Sequence, residues 1–221
     1  MFTQNIVGQP STTSLSSGTT VATRAGQLGD GIVSELHGKY YEQTYRGNVF
    51  SFGMTSTALS ANTITLTATT TPIIGVWNPT GSGKNLVILK AKCQLTVAGN
   101  SAVAPGAFVW ATSVGNSAIS TGSAPLNRLT LSNSGSVAKG FNISVALTGL
   151  TNNLVIQHAA GFGTLLAAQG ATATPIISGD PVEDVDGALI VPPGGVLALL
   201  NTVSTTTVSV GSMLLWEEVP V

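Results

Sequence analysis

Residues 86–97, LVILKAKCQLTV, form a long apolar run that alternates with polar residues from Lys90 onward. Val87, Leu89, Ala91, Cys93, Leu95 and Val97 share one parity, and Lys90, Lys92, Gln94 and Thr96 take the other. Alternation with a period of two places one face in a core and the other in water, which is the pattern of a strand in an antiparallel sheet. At twelve residues it is long for a strand, where about five or six is usual. A second apolar run, residues 73–77 (IIGVW), precedes it across the linker NPTGSGKN of residues 78–85. Pro, Gly and Asn in that linker mark a loop between two strands.

The rest of the chain from residue 61 repeats this rhythm. Strands are expected near 62–69, 73–77, 86–97, 107–113, 128–131, 137–147, 154–158, 174–177, 188–191, 196–201 and 208–216. Short Thr- and Val-rich segments between turn residues, at such spacing, suit a β-sandwich or barrel. No sustained helical period, βαβ rhythm or fixed repeat is present. The best chance of a helical turn in this part is at 164–169. Trp77, Leu89, Cys93, Val97, Leu197 and Leu199 are the expected core.

Charge separates this chain from an ordinary soluble domain. Only 8% of its residues are Asp, Glu, Lys or Arg, against roughly 25% usually. None falls in 93–127, 140–179 or 187–216. Such a surface has little charge to hold copies apart, so the chain is either an uncharged secreted β-protein or a subunit covered by other subunits. A formal net charge of −1 without a Lys/Arg cluster argues against direct nucleic-acid binding. The apolar run 188–200 is interrupted by Pro192-Pro193-Gly194-Gly195, short of the roughly 18 residues of a membrane span. The first residues lack the basic and apolar regions of a signal peptide, so synthesis and assembly in a cytoplasm are expected.

The first 60 residues are expected to form an extended N-terminal arm, before a domain at 61–221. Residues 1–23 are rich in Ser, Thr and Gly. Residues 24–53 carry six of the 17 charges (eight Lys or Arg plus nine Asp or Glu) and all three tyrosines. Tyr and Arg are favoured at interfaces, so Tyr40, Tyr41, Tyr45 and Arg46 are candidate anchoring contacts. Alternatively this segment caps the chain's own sandwich. Residues 34–45 could form a short helix, weakened by Gly38.

Chemical motifs are few. Gly81-Ser82-Gly83-Lys84 has the outline of a phosphate loop but fails as one, because Asn78 and Asn85 stand where the first Gly and the Mg²⁺-binding Ser or Thr would be. Asp180, Glu183, Asp184 and Asp186 could supply oxygen ligands to Ca²⁺, but their spacing is not that of an EF-hand loop, and a solvated turn is the simpler reading. His37 and His158 are the two histidines, and no G-x-S-x-G elbow occurs. Cys93, the single cysteine, has apolar parity and reads as an inert core thiol. No cofactor and no enzymatic activity are expected.

Three stretches resemble the β-sandwich virion proteins of tailed bacteriophages: IGVWNPTGSGKNLVIL at 74–89, IVPPGGVLALL at 190–200 and the closing WEEVP at 216–220. The segment SELHGKYYEQTYRGNVF at 34–50 looks like the start of phage structural proteins. A Pro-Gly turn feeding an apolar strand, then a Thr/Val strand ending in Trp, is similar to jelly-roll subunits. The resemblance implies an all-β, jelly-roll-like sandwich in the virion, most simply a trimeric decoration (cement) protein bound to the major capsid protein. It leaves open another capsid or tail component. A receptor- or carbohydrate-binding tail protein would instead use exposed groups such as Trp110, Asn116 or the acidic stretch. A small hydrolase on a β-scaffold would need His158 beside a carboxylate in a deep pocket.

Overall fold

The computed structural model describes residues 38–54, 69–70, 72–97, 106–117, 119, 122–142, 145, 147–166, 174–178, 182–201 and 209–221. The chain divides into two units, Met1–Glu42 and Gln43–Val221. All the strands below belong to the second unit.

In chain order the described elements are α1 (Tyr41–Tyr45), β1 (Val49–Met54), β2 (Thr69–Thr70), β3 (Ile74–Trp77), β4 (Lys84–Val97), β5 (Gly106–Ser113) and β6 (Leu126–Asn127). Then follow β7 (Lys139–Asn142), β8 (Leu147–Thr148), β9 (Val155–Leu166), β10 (Thr174–Ser178), β11 (Val182–Val191), β12 (Val196–Asn201) and β13 (Ser209–Pro220). The protein is all-β, as its alternation predicts, with two main antiparallel sheets. One runs β11-β4-β13-β1-β6, the other β10-β9-β5-β12-β3-β7, and β2-β8 forms a small third. Within the main sheets the long-range pairs are nested: β1 with β13, β3 with β12, β4 with β11, and β5 with β9.

The two main sheets bury a shared cluster. The first contributes Phe50, Phe52, Leu86, Ile88, Ala91, Cys93, Leu214 and Trp216, and the second contributes Ile74, Val76, Phe108, Trp110, Leu197 and Leu199. A second cluster covers the other face of β3, β5 and β12, where Trp77, Val109, Ala111, Val196, Ala198 and Leu200 meet Ile119, Leu147, Leu150 and Leu154. Both faces of β12 are therefore covered, and VLALLN is buried at every position. This is why 196–200 reads as an unbroken apolar run with no polar face.

The long alternating strand contains a break that its sequence does not mark. Leu215 pairs with Lys90 while its neighbour Trp216 pairs with Ile88, so Leu89 is an inserted residue in β4. The bulge reverses parity. Ala91 and Cys93 face the core as expected, but before the bulge it is Leu86 and Ile88 that do so, both at 0% exposure, while Val87 is half-buried. Leu89 is itself buried, as are Trp77, Leu197 and Leu199. The side chain of Val97 lies outside the described residues.

Several boundaries differ from expectation. Val49–Met54, within the segment expected to be arm, is a central strand of the first sheet, paired on both sides. Phe50 and Phe52 are its inward residues. Helix α1 is confined to five residues, and 34–37 lie outside the described residues. Residues 128–131 form a turn rather than a strand, and 137–147 is split between β7 and β8. Residues 164–166 extend β9 instead of forming a helical turn, because they pair with β10. The expected strand 62–69 is described only at its last residue, in β2.

Candidate assembly surface

At one end of the sandwich, asparagine side chains hold the loops together. Asn78 follows β3 and is fully buried. Its Nδ2 donates to the carbonyls of Lys84 (2.7 Å) and Val191 (3.0 Å). Its backbone exchanges hydrogen bonds with Gly195 and Gly194. Asn116, also fully buried, donates from Nδ2 to Ser113 Oγ and to the Gly194 carbonyl, and its Oδ1 accepts from the Thr151 N–H at 2.8 Å. The turn Pro192–Gly195 is thus gripped from two sides, with Gly194 at φ +79°, where a side chain would be strained. The two blocks 74–89 and 190–200 meet here through the pairing of β3 with β12.

A buried carboxylate performs the same task elsewhere. The alternation Val210, Ser212, Leu214, Trp216 on the inward face of β13 continues to Glu218, which is 2% exposed. Its Oε1 accepts from Ser136 Oγ at 2.6 Å and from the Val137 N–H at 3.1 Å, and its Oε2 accepts from Lys84 Nζ at 3.0 Å. Hydrogen bonds and a cation offset the cost of burying its charge, and they fix residues 136–138 to the sheet. Lys84, the residue that most invites a phosphate reading, is this ion-pair partner.

A third asparagine shapes the loop after β6. Asn127 Oδ1 accepts from the N–H groups of Leu129 (2.9 Å) and Thr130 (3.2 Å), and Nδ2 donates to the Gly47 carbonyl. The backbone of Asn127 bonds to Leu131 and Ser132, and the hydroxyls of Thr130, Ser132 and Ser134 form a hydrogen-bonded chain. This ordered loop points apolar groups at solvent: Leu129 is 48% and Leu131 67% exposed. Leu131 has φ +55°, an unusual conformation for a residue other than Gly, Asn or Asp. Arg128 and Asn133 of the loop line an open cleft of about 600 Å³, with Ser51, Phe52, Gly53 and Met54 of β1 and Ser212 and Met213 of β13. The Ser212 hydroxyl is buried and has no hydrogen-bond partner among the described residues.

Among the residues singled out from sequence, Tyr41 and Tyr45 are exposed and Arg46 is exposed beside them in the chain. Tyr40 is half-buried, with Lys39 Nζ 5.6 Å from its ring centre. Of the acidic stretch, Asp180 lies outside the described residues, and Glu183 and Asp184 belong to β11 rather than to a loop. In the ladder with β4, Glu183 stands opposite Ala91 and Asp184 opposite Lys90, and the side chains of both acids lie outside the described residues. Asp186 stands at φ +49° in the irregularity that follows. Among the described residues, no group of three His, Cys, Asp or Glu is placed to hold a metal. Trp110 and Asn116 are buried, not exposed recognition groups. His158 pairs with Trp110 in the β5–β9 ladder, and its side chain lies outside the described residues. Burial pushes the Cys93 thiol up to about 12. Among the described residues, no helix is long and apolar enough to cross a membrane.

Sequence reasoning misses Glu218 and Asn127 altogether, and for Asn78 and Asn116, which it names in other contexts, it misses their role in holding the loops. The parity of Leu214 and Trp216 is a usable signal for Glu218, and Asn next to turn residues is one for the others. No protein-family model, curated protein or solved structure matches the chain.

Proposed function

We propose that the chain is a non-enzymatic structural subunit of a tailed-phage virion, a jelly-roll decoration protein that binds the capsid as a homotrimer. The nested pairing of four strand pairs across two sheets supports the jelly-roll reading, since that fold is a sandwich of two Greek keys. The observation that carries the functional reading is how the buried polar groups are used. Glu218, Asn78, Asn116 and Asn127 all direct their hydrogen bonds to fixing loops. A carboxylate so saturated is a rivet, and a frame of riveted loops with few charges suits repeated contacts in a shell. Many modest contacts around such a shell sum to high avidity. In this reading the residues before β1 are an arm reaching a neighbour or the capsid lattice, with Tyr40, Tyr41, Tyr45 and Arg46 as anchors.

The test is co-sedimentation of the full chain with undecorated capsids of its own particle, beside a chain starting at residue 38. A chain starting at residue 61 is unsuitable, because it would lack β1 with Phe50 and Phe52. Saturable binding by the full chain, weakened on removing 1–37 and lost when Tyr40, Tyr41, Tyr45 and Arg46 are replaced by alanine, is the expected result. No binding, together with retention of a glycan ligand, would replace this reading with a recognition module.

A further inference from the structure

We propose that copies of this chain join by inserting the Leu129–Leu131 knob of one into the cleft beside β1 of the next. The proposal rests on the reading of the chain as a self-assembling subunit and supplies that reading with a contact.

The knob is built for display. Both leucines are held outward by a loop whose backbone is bonded to Asn127 at four points: two through its side chain and two through its own N–H and carbonyl. A leucine at φ +55° costs free energy that glycine would avoid, and the side chain gains little burial within the subunit in return, being 67% exposed. The loop's hydrogen bonds hold this conformation, and covering the exposed side chain would add an offset that solvent exposure denies it.

The same chain carries a hollow of matching chemistry. Phe52, Met54, Leu126 and Met213 give it apolar walls, and Arg128 is the single charged residue among the described residues that line it. Its volume of about 600 Å³ lies within the range of sites that enclose small ligands, and it takes two leucine side chains. The hollow exists because β6 pairs with only Phe50 and Ser51, leaving the edge of β1 beyond Ser51 uncovered by that strand. Uncovered sheet edges invite pairing with another chain. Knob and hollow share one loop, whose Arg128 and Asn133 line the hollow while Leu129 and Leu131 point to solvent. Three copies can therefore close a ring, each knob entering the hollow of the next.

Two substitutions separate the halves of the contact. Leu131→Gly removes the knob's tip and relieves its backbone. Gly53→Arg fills the hollow; a Cβ at Gly53 meets nothing closer than 3.7 Å, so the fold accommodates it. Sedimentation velocity on the full-length wild type and variants, over a wide concentration range, reads the result. The wild type is expected to associate and each variant to associate about thirtyfold or more weakly, the loss typical of a hot-spot side chain. Thermal melting should show each variant folded, with Leu131→Gly as stable as the wild type at monomer concentrations. An equimolar mixture of the two variants should form pairs that neither forms alone, since one still has its hollow and the other its knob. Unchanged association of either variant would overturn the knob while leaving an oligomeric subunit intact. A wild type that is monomeric throughout would overturn both the knob and the oligomeric part of the proposed function.

Discussion

Two loop regions of this protein are built around asparagine and end in opposite states. Around Asn78 and Asn116, side-chain amides reach across the chain to carbonyls of Lys84, Val191 and Gly194, and the asparagines themselves are fully buried. Around Asn127, the side chain bonds the two following N–H groups, and what it organises stays in solvent. The first arrangement ties distant strands together and contributes to the protein's stability. The second shapes the short segment that follows it, tied to the rest of the chain by one bond from Asn127 Nδ2 to the Gly47 carbonyl. A polar network thus does not by itself say whether a loop belongs to the frame or to a surface for partners. The exposure of what it holds does: Leu129 and Leu131 stay in solvent, whereas the turn around Gly194 is packed in place.

That contrast can be broken experimentally, and the largest effect is expected where the two kinds of loop share an anchor. Glu218→Ala removes the carboxylate that binds Lys84, Ser136 and the Val137 N–H. Denaturant unfolding should show a loss of about 3 kcal/mol, as for other buried ion-pair partners. Asn116→Ala should cost about 2 kcal/mol by the same measurement, because its partners are left unpaired in a buried site. A comparable loss in Asn127→Ala would erase the distinction drawn above. Its bonds are part-exposed and water can replace them, so about 1 kcal/mol is expected, with a larger effect on association than on stability.

The core beneath both loops provides a pH-dependent reference. The Cys93 thiol is raised from 9.0 to about 12 by burial, so the unfolded chain gives up this proton at lower pH than the folded one. Its contribution is fully present below pH 9 and is lost as pH rises toward 12, by about 1 kcal/mol at pH 10. Stability measured between pH 8 and 10.5 should decline accordingly, and Cys93→Ala should flatten that decline. The smallest effect belongs to Leu131→Gly. Relief of its φ roughly offsets the added freedom of the unfolded chain, leaving the melting temperature within the change produced by about 0.5 kcal/mol.

Much of the fold is legible in the sequence because strand alternation is a direct consequence of burying one face. The strands expected at 107–113 and 196–201 match β5 and β12 almost to the residue. The bulge at Leu89 is not legible, since one inserted residue in an apolar run alters no composition and every side chain before it changes face. Val49–Met54 reads as arm because the charged, tyrosine-rich residues before it dominate that stretch, although Phe50 and Phe52 already alternate. The sequence RLTL at 128–131 alternates like a strand, yet Asn127 diverts its N–H groups into a turn. Glu218 is hidden by its neighbour: Glu217-Glu218 near the C-terminus looks solvated, and only the parity of Trp216 places one of the two inside. The nested pairing cannot be read from the sequence at all, because it depends on which long-range partners each strand finds.

Amide hydrogen exchange on the free, full-length protein tests most directly whether the knob loop is shaped before any partner arrives. The N–H groups of Leu129, Thr130 and Leu131 should be protected, within reach of the protection at Asn116 and Gly194, because each has an acceptor on Asn127. Exchange of those three amides at the rate of an unstructured chain, with Asn116 and Gly194 still protected, would show that the loop is not preformed and would contradict the account.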